Sequence, residues 1–241
     1  EAAEHARADA PGSVGLGGDL VVLAENITLY PPSTAADRPD GTPPLLREVS
    51  LHLRAGQSLA VLAPDDPQAA TALLRAIAGW TAPAAGTLQA GGRTVLLAPV
   101  AAGFEPELTV GENATVFGAF VGCDVADVRA HMASIVDRAG LTGSLDRPLR
   151  TLPAGTALRL ALSIALACVK PRILLIDAID PVPDASEIVG LTWQLRAAGT
   201  AIVQVVKSAS ESLAPPDRMA WLANGTVRAC GHVDSIAAAA R

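Results

Sequence analysis

The stretch that decides the fold is Ser58-Leu59-Ala60-Val61-Leu62-Ala63-Pro64-Asp65-Asp66-Pro67-Gln68-Ala69-Ala70-Thr71-Ala72-Leu73-Leu74-Arg75-Ala76-Ile77-Ala78-Gly79. Residues 58–62 are a short apolar run between turn formers, the pattern of a fully buried strand. Asp66 and Pro67 then make an N-cap and first-turn pair for a helix. Leu73, Leu74 and Ile77 give that helix an apolar face, and Gly79 closes it. The same rhythm returns downstream. Residues 172–177 form an apolar strand ending in Asp177, a helix is expected over 185–197, and residues 201–206 form a further apolar strand. Alternating buried strands and helices imply an α/β fold with a mostly parallel sheet. Ligands of such sheets sit at the carboxyl ends of the strands.

Outward from this core, Leu20–Leu23 and Ile27–Tyr30 read as strands, and Leu51-His52-Leu53 as part of another. Residues 31–44 hold five prolines and read as a loop. A Gly-rich hairpin region is expected after Gly79, followed by a strand at Val95-Leu96-Leu97. Thr109 can cap a helix running past Phe117, and Asp124 one carrying Val128, Met132, Ile135 and Val136. Residues of about 101–170 thus read as a helical subdomain inserted in the α/β core, and its last helix, about 155–168, is apolar nearly all round. Residues 221–227 read as a hairpin with an Asn-Gly turn, and an Ala-rich helix follows. Residues 1–18 are expected to be a flexible tail, with one domain over 19–241.

Composition excludes several classes. Half of the 241 residues are apolar and 17% are charged, too apolar for a disordered chain. Eighteen basic against 24 acidic residues give a net charge of −6 and no basic stripe, which argues against nucleic acid as a partner. No uncharged apolar run reaches the ~18 residues of a membrane span, and residues 1–18 lack the charged and apolar regions of a signal peptide. Cys123, Cys168 and Cys230 have no metal-binding spacing and read as free thiols in a reducing cytoplasm. His5, His52, His131 and His232 form no catalytic or metal pattern. No catalytic and no metal-ligating residue is assigned.

In the order of its segments, over roughly residues 20–237, the chain resembles the ATP-binding domain of ABC transporters. Residues 58–62 and 73–79 look like the strand and helix that flank that family's phosphate loop. Gly103-Phe104-Glu105-Pro106-Glu107-Leu108-Thr109-Val110-Gly111-Glu112-Asn113 is most similar to the ATPases that export O-antigen and teichoic-acid polysaccharides. Thr151-Leu152-Pro153-Ala154-Gly155 stands where the family has its signature loop, and Ile173–Asp177 resembles its magnesium-associated strand. The resemblance implies a P-loop NTPase-like fold with an antiparallel β subdomain. By resemblance, the nucleotide-binding positions are Tyr30 for adenine, Thr71 and Asp177 for magnesium, and Gly155 for the signature loop.

The nucleotide loops depart from the pattern. A phosphate loop uses glycine backbone N–H groups and a lysine against the phosphates. Here the segment is Ala63-Pro64-Asp65-Asp66-Pro67-Gln68-Ala69-Ala70-Thr71, with Ala69 or Ala70 at the lysine position. Pro64 and Pro67 remove two N–H donors. A carboxylate about 4 Å from a phosphate costs a few kcal/mol at an effective dielectric near 20, and Asp65 and Asp66 bring two. The position after the strand carboxylate is Ala178, the glutamine-loop position is Val100 and the switch-histidine position is Lys207. Pro153 and Ala154 replace the Ser and Gly of the signature loop.

Two structural expectations follow. Asp66 caps the helix and takes the phosphate's place. Lys207 pairs with Asp177 and Asp180 at neighbouring strand ends. Three functions remain open: an ABC-type subunit of a polysaccharide export system that has lost catalytic residues, a divergent active ATPase energising glycan export, and a scaffold or regulatory domain in cell-envelope glycan assembly. ATP and magnesium are cofactors only if the site still works. The resemblance implies as partners a membrane permease subunit and a second ABC domain, as homodimer or heterodimer. It places the chain in the cytoplasm, peripheral to the inner face of the plasma membrane.

Overall fold

The computed structural model describes residues 16, 18–32, 41–97, 103–177 and 185–239. Nearly all of the expected 1–18 tail, and Val100, Ala178 and Asp180, lie outside them. Among the described residues, nine strands run in order: β1 Leu20–Leu29, β2 Leu46–Arg54, β3 Ser58–Leu62, β4 Ala85–Ala90, β5 Thr94–Leu97, β6 Ile173–Ile176, β7 Ala201–Val206, β8 Arg218–Ala223 and β9 Thr226–Gly231. The α-helices are α1 Pro67–Ile77, α2 Val110–Phe120, α3 Val125–Arg138, α4 Thr156–Ile164, α5 Ser186–Ala197 and α6 Val233–Ala239. The main sheet has the order β5-β6-β7-β3-β8-β9 and is parallel except for β9. A second, antiparallel sheet has the order β2-β1-β4.

The parallel strands are apolar throughout because both faces are covered. In β6, Ile173 and Leu175 pack into one core with α1 and the antiparallel sheet. Leu174 and Ile176 point the other way, into a core shared with α2, α3, α4 and α5. In β7, Ala201, Val203 and Val205 face the α1 side and Ile202 the opposite one. The alternation is the strand period of two.

Two sequence expectations are corrected. The segments 20–23 and 27–29 belong to one strand, β1, with an irregularity between Ala24 and Ile27, and Tyr30 lies just past its end. Asn26 holds it at φ 51, a left-handed conformation that asparagine tolerates. Its N–H donates to Ser50 Oγ at 2.9 Å. The Gly-rich region after Gly79 is not a hairpin. β4 pairs with β1, whereas β5 joins the main sheet beside β6. Local glycine content does not reveal that neighbouring strands part to different sheets.

α4 is buried along nearly its whole surface and runs into a π-helical turn, Ala165–Val169, that stops at Lys170 with φ 48. The β8–β9 turn has Asn224 at φ 50 and Gly225 at φ 70, the backbone that an Asn-Gly hairpin turn requires. Arg196, at the end of α5, fastens the amino edge of the main sheet. Its Nε donates to Gly56 O at 2.9 Å, one Nη to Pro215 O at 2.8 Å, and the other to both Asp217 oxygens at 2.8 and 2.6 Å. Asp217 also accepts from Ser58 N at 2.8 Å. Arg196→Ala strands these acceptors and lowers unfolding free energy by about 2–3 kcal/mol. Arg196→Lys recovers less than half, because an ammonium cannot reproduce the planar fork. Denaturant titration measures both.

Candidate functional site

The site lies at the carboxyl edge of the main sheet, where β3 turns into α1. An α-helix begins with backbone N–H groups that have no intrahelical partner and carry the positive end of its dipole. At α1, Asp66 meets this need. Its side chain accepts from Ala69 N at 3.4 Å, and Pro67 has no N–H to satisfy. The shorter bond goes elsewhere: Asp66 Oδ2 accepts from Gly225 N at 2.7 Å, in the β8–β9 turn. Gly225 O in turn accepts from Arg47 N at 2.7 Å. One carboxylate thus links the start of α1, the hairpin turn and, through that turn, β2. A Cβ on Gly225 would stand 2.6 Å from Leu45 O, so the close approach requires glycine. The capping half of the Asp66 expectation holds. The bond to Gly225 was not legible, because nothing in sequence places residue 225 beside residue 66.

Asp65 and Pro64 are exposed, and Asp66 is half-buried. Thr71, in the second turn of α1, donates to Asp177 Oδ2 at 2.9 Å, just past the end of β6. Asp177 is held there by its own N–H, which donates to Leu97 O at 3.0 Å. Its other oxygen, Oδ1, is buried without a hydrogen-bond partner among the described residues. The structure therefore brings together two of the four residues singled out by resemblance. Gly155 sits apart at the start of α4 with φ 85. α4 packs in the core on the opposite side of the main sheet from α1. Tyr30 follows the end of β1, half-buried.

The expected Lys207–Asp177 pair is not formed. Asp177 is engaged by Thr71, and Lys207 is exposed. Instead the Lys207 N–H donates to Glu211 Oε2 at 3.1 Å, so Glu211 caps the end of β7. Beneath it Gln204, fully buried in an otherwise apolar strand, accepts from Leu213 N at 3.0 Å and Ala214 N at 3.2 Å. Gln204 went unread in sequence, although a polar residue inside an apolar strand is the usual signal of a buried anchor.

The segment from Gly103 to Asn113 is tightly built. Asn113 is fully buried and accepts from Glu105 N at 2.8 Å. Its Nδ2 donates to Glu105 O, Leu108 O and Thr109 O at 2.9, 3.0 and 3.1 Å. Thr109 and Glu112 form a capping box for α2, and the Thr109 hydrogen bonds hold the Glu112 carboxyl below its usual range. Phe104 stacks on Phe117 with ring centroids 4.5 Å apart. Val116 and Phe120, one turn apart on α2, are exposed. Among the described residues no group of three or more His, Cys, Asp or Glu could hold a metal. Among them, too, no helix is long and apolar enough to cross a membrane.

No protein-family model matches the chain. It is 31% identical over 196 residues to an O-antigen export system ATP-binding protein, RfbB, of Myxococcus xanthus. That match covers 80% of this chain but 44% of the relative, so the chain spans less than half of that protein's length. The RfbB of Klebsiella pneumoniae is 26% identical over 194 residues, covering 79% of this chain and 78% of the relative. The sulfate/thiosulfate import ATP-binding protein CysA of Caulobacter vibrioides is 33% identical over 215 residues, 81% of this chain and 62% of the relative. Among solved structures, cbiO1 of Clostridium perfringens, part of the ABC transporter complex cbiONQ, superposes with a TM-score of 0.73. It is 16% identical, with 92% of each chain covered.

Asp66→Ala removes the cap of α1 and leaves the Gly225 N–H without its charged acceptor. Urea titration is expected to show a loss of about 1–2 kcal/mol, with Asp66→Asn retaining part of it.

Proposed function

The chain is an ABC-type ATP-binding domain, and from that premise we propose that it serves a polysaccharide export system as a non-catalytic, partner-docking member. The observation that carries this reading is the double engagement of Asp66, with Ala69 N and Gly225 N. A triphosphate needs the N–H groups at the start of α1 and positive surroundings. Here a carboxylate takes one of those N–H groups, Asp65 adds a second negative charge, and residues 63–71 contain no lysine. The residues of this loop do not fit the phosphates.

Export of a polysaccharide is supported by the O-antigen export relatives and by the ordered 103–113 segment. The proposed partners are a membrane permease, docked through the helical block around α2, and a second ABC domain of either the same or another chain. This sets the chain in the cytoplasm against the inner face of the membrane. The Asn113 network suits a docking role, since it keeps the backbone of 105–109 in one shape before a partner arrives.

The Thr71–Asp177 pair favours the second reading, a divergent ATPase. A hydroxyl and a carboxylate with one buried, unpartnered oxygen are donors of the kind that magnesium takes. Calorimetry separates the two. The proposal expects no Mg-ATP binding tighter than about 1 mM, a binding free energy of roughly −4 kcal/mol, and no phosphate release. Micromolar binding with turnover establishes the active reading instead. In a pull-down with the cognate permease, Asn113→Ala is expected to weaken capture at least tenfold while Asp177→Asn leaves it unchanged.

A further inference from the structure

The β8–β9 turn carries the chain's only Asn-Gly pair, Asn224-Gly225; the other two asparagines, Asn26 and Asn113, precede Ile27 and Ala114. The pair has a chemistry of its own. The backbone nitrogen that follows an asparagine can attack the side-chain amide carbon, and glycine, with no Cβ, leaves that approach open. Asn224 is exposed, so water reaches its amide, whereas Gly225 is buried. The Gly225 N–H, whose nitrogen is the attacking atom, donates to Asp66 Oδ2 at 2.7 Å. Gly225 O accepts from Arg47 N at 2.7 Å, and a Cβ on Gly225 would stand 2.6 Å from Leu45 O. The nucleophile of this reaction is therefore pinned on both sides.

We propose that Asn224 is a latent deamidation site and that Asp66 keeps it closed. In the reaction the Gly225 nitrogen gives up its proton and bonds to Asn224 Cγ. The bond from Cγ to Nδ2 breaks, and Nδ2 leaves as ammonia, taking up one proton for the one released. Water then opens the cyclic imide at either carbonyl. One opening leaves an aspartate, the other an isoaspartate with the main chain routed through Cβ. Asp66 opposes the first step in two ways. Its carboxylate holds the Gly225 N–H in a charge-assisted bond, and a nitrogen losing that proton gains negative charge beside one already there. The same bond ties the nitrogen to the start of α1, so it cannot swing towards Cγ while the bond lasts. Either product undoes the link. An aspartate adds a second carboxylate to the turn that Asp66 binds, and an isoaspartate lengthens the backbone of a two-residue turn whose geometry is set by φ 50 and φ 70.

The test incubates the parent chain, Asp66→Ala, Asp66→Asn and Arg196→Ala in mild alkali and follows the tryptic peptide Met219–Arg228, in which Asn224 is the only carboxamide side chain. Deamidation reads as a mass gain of about 1 Da, and isoaspartate as carboxyl methylation by an isoaspartyl methyltransferase. Asp66→Ala is expected to convert roughly tenfold faster than the parent. Asp66→Asn is expected to fall between them, because a neutral acceptor keeps the bond without the charge. Arg196→Ala acts at the opposite, amino edge of the main sheet and costs at least as much stability, yet is expected to stay near the parent rate. That separates release of Gly225 from global unfolding. Equal rates in the parent and both Asp66 variants, slower conversion in Asp66→Ala, or an Arg196→Ala rate that matches Asp66→Ala overturns the proposal.

Discussion

The N-terminus of α1 faces the carboxyl edge of a parallel sheet, and its free N–H groups call for an acceptor, a negative one being favoured by the helix dipole. That requirement organises the region. In this chain the negative group is internal. Asp66 caps the helix and reaches 2.7 Å to Gly225 N, and Gly225 O reaches Arg47 N. The start of the central helix, the turn that closes the main sheet, and the first residues of β2 are thereby held by one charge-assisted link. It demands glycine at 225, where a Cβ would meet Leu45 O at 2.6 Å. A ligand that sought the Ala69 and Gly225 N–H groups would have to displace a carboxylate tethered beside them.

The fold was largely legible because its strongest signals are local. β3, the Asp66 cap, the Thr109 and Asp124 caps, the burial of α4 and the Asn-Gly hairpin all follow from runs of a few residues. What escaped was long-range. Whether β4 pairs with β5 or with β1 depends on the path of the chain, not on the glycines between them. The irregularity in β1 rests on Ser50, 24 residues from Asn26. The ends of neighbouring strands suggest Asp177 and Asp180 as partners of Lys207, yet Asp177 is engaged by Thr71, Glu211 binds the Lys207 backbone, and Asp180 lies outside the described residues. Among the candidate site residues, Thr71 and Asp177 meet, while Gly155 belongs to the other face of the sheet. The signature loop pattern gives no hint of that separation within a single chain.

The two halves of the molecule differ in kind. Around α1 the geometry is closed on itself, by Asp66 and by the Thr71–Asp177 bond. Around α2 it is rigid but outward-facing: Asn113 and the capping box fix the backbone, and Val116 and Phe120 stay exposed. On the proposed reading, nucleotide chemistry has been exchanged for a permanently set docking surface. Asp177 Oδ1, unpartnered among the described residues, still favours a cation beside the Thr71 hydroxyl.

The most direct test of the central claim is to follow the backbone amide signals of Ala69 and Gly225 by nuclear magnetic resonance during titration with Mg-ATP. If Asp66 holds both groups in place of phosphate, the two signals stay fixed through millimolar nucleotide and both move when Asp66 is replaced by Asn. A saturating shift of Ala69 and Gly225 at micromolar Mg-ATP in the unmodified chain would contradict the account.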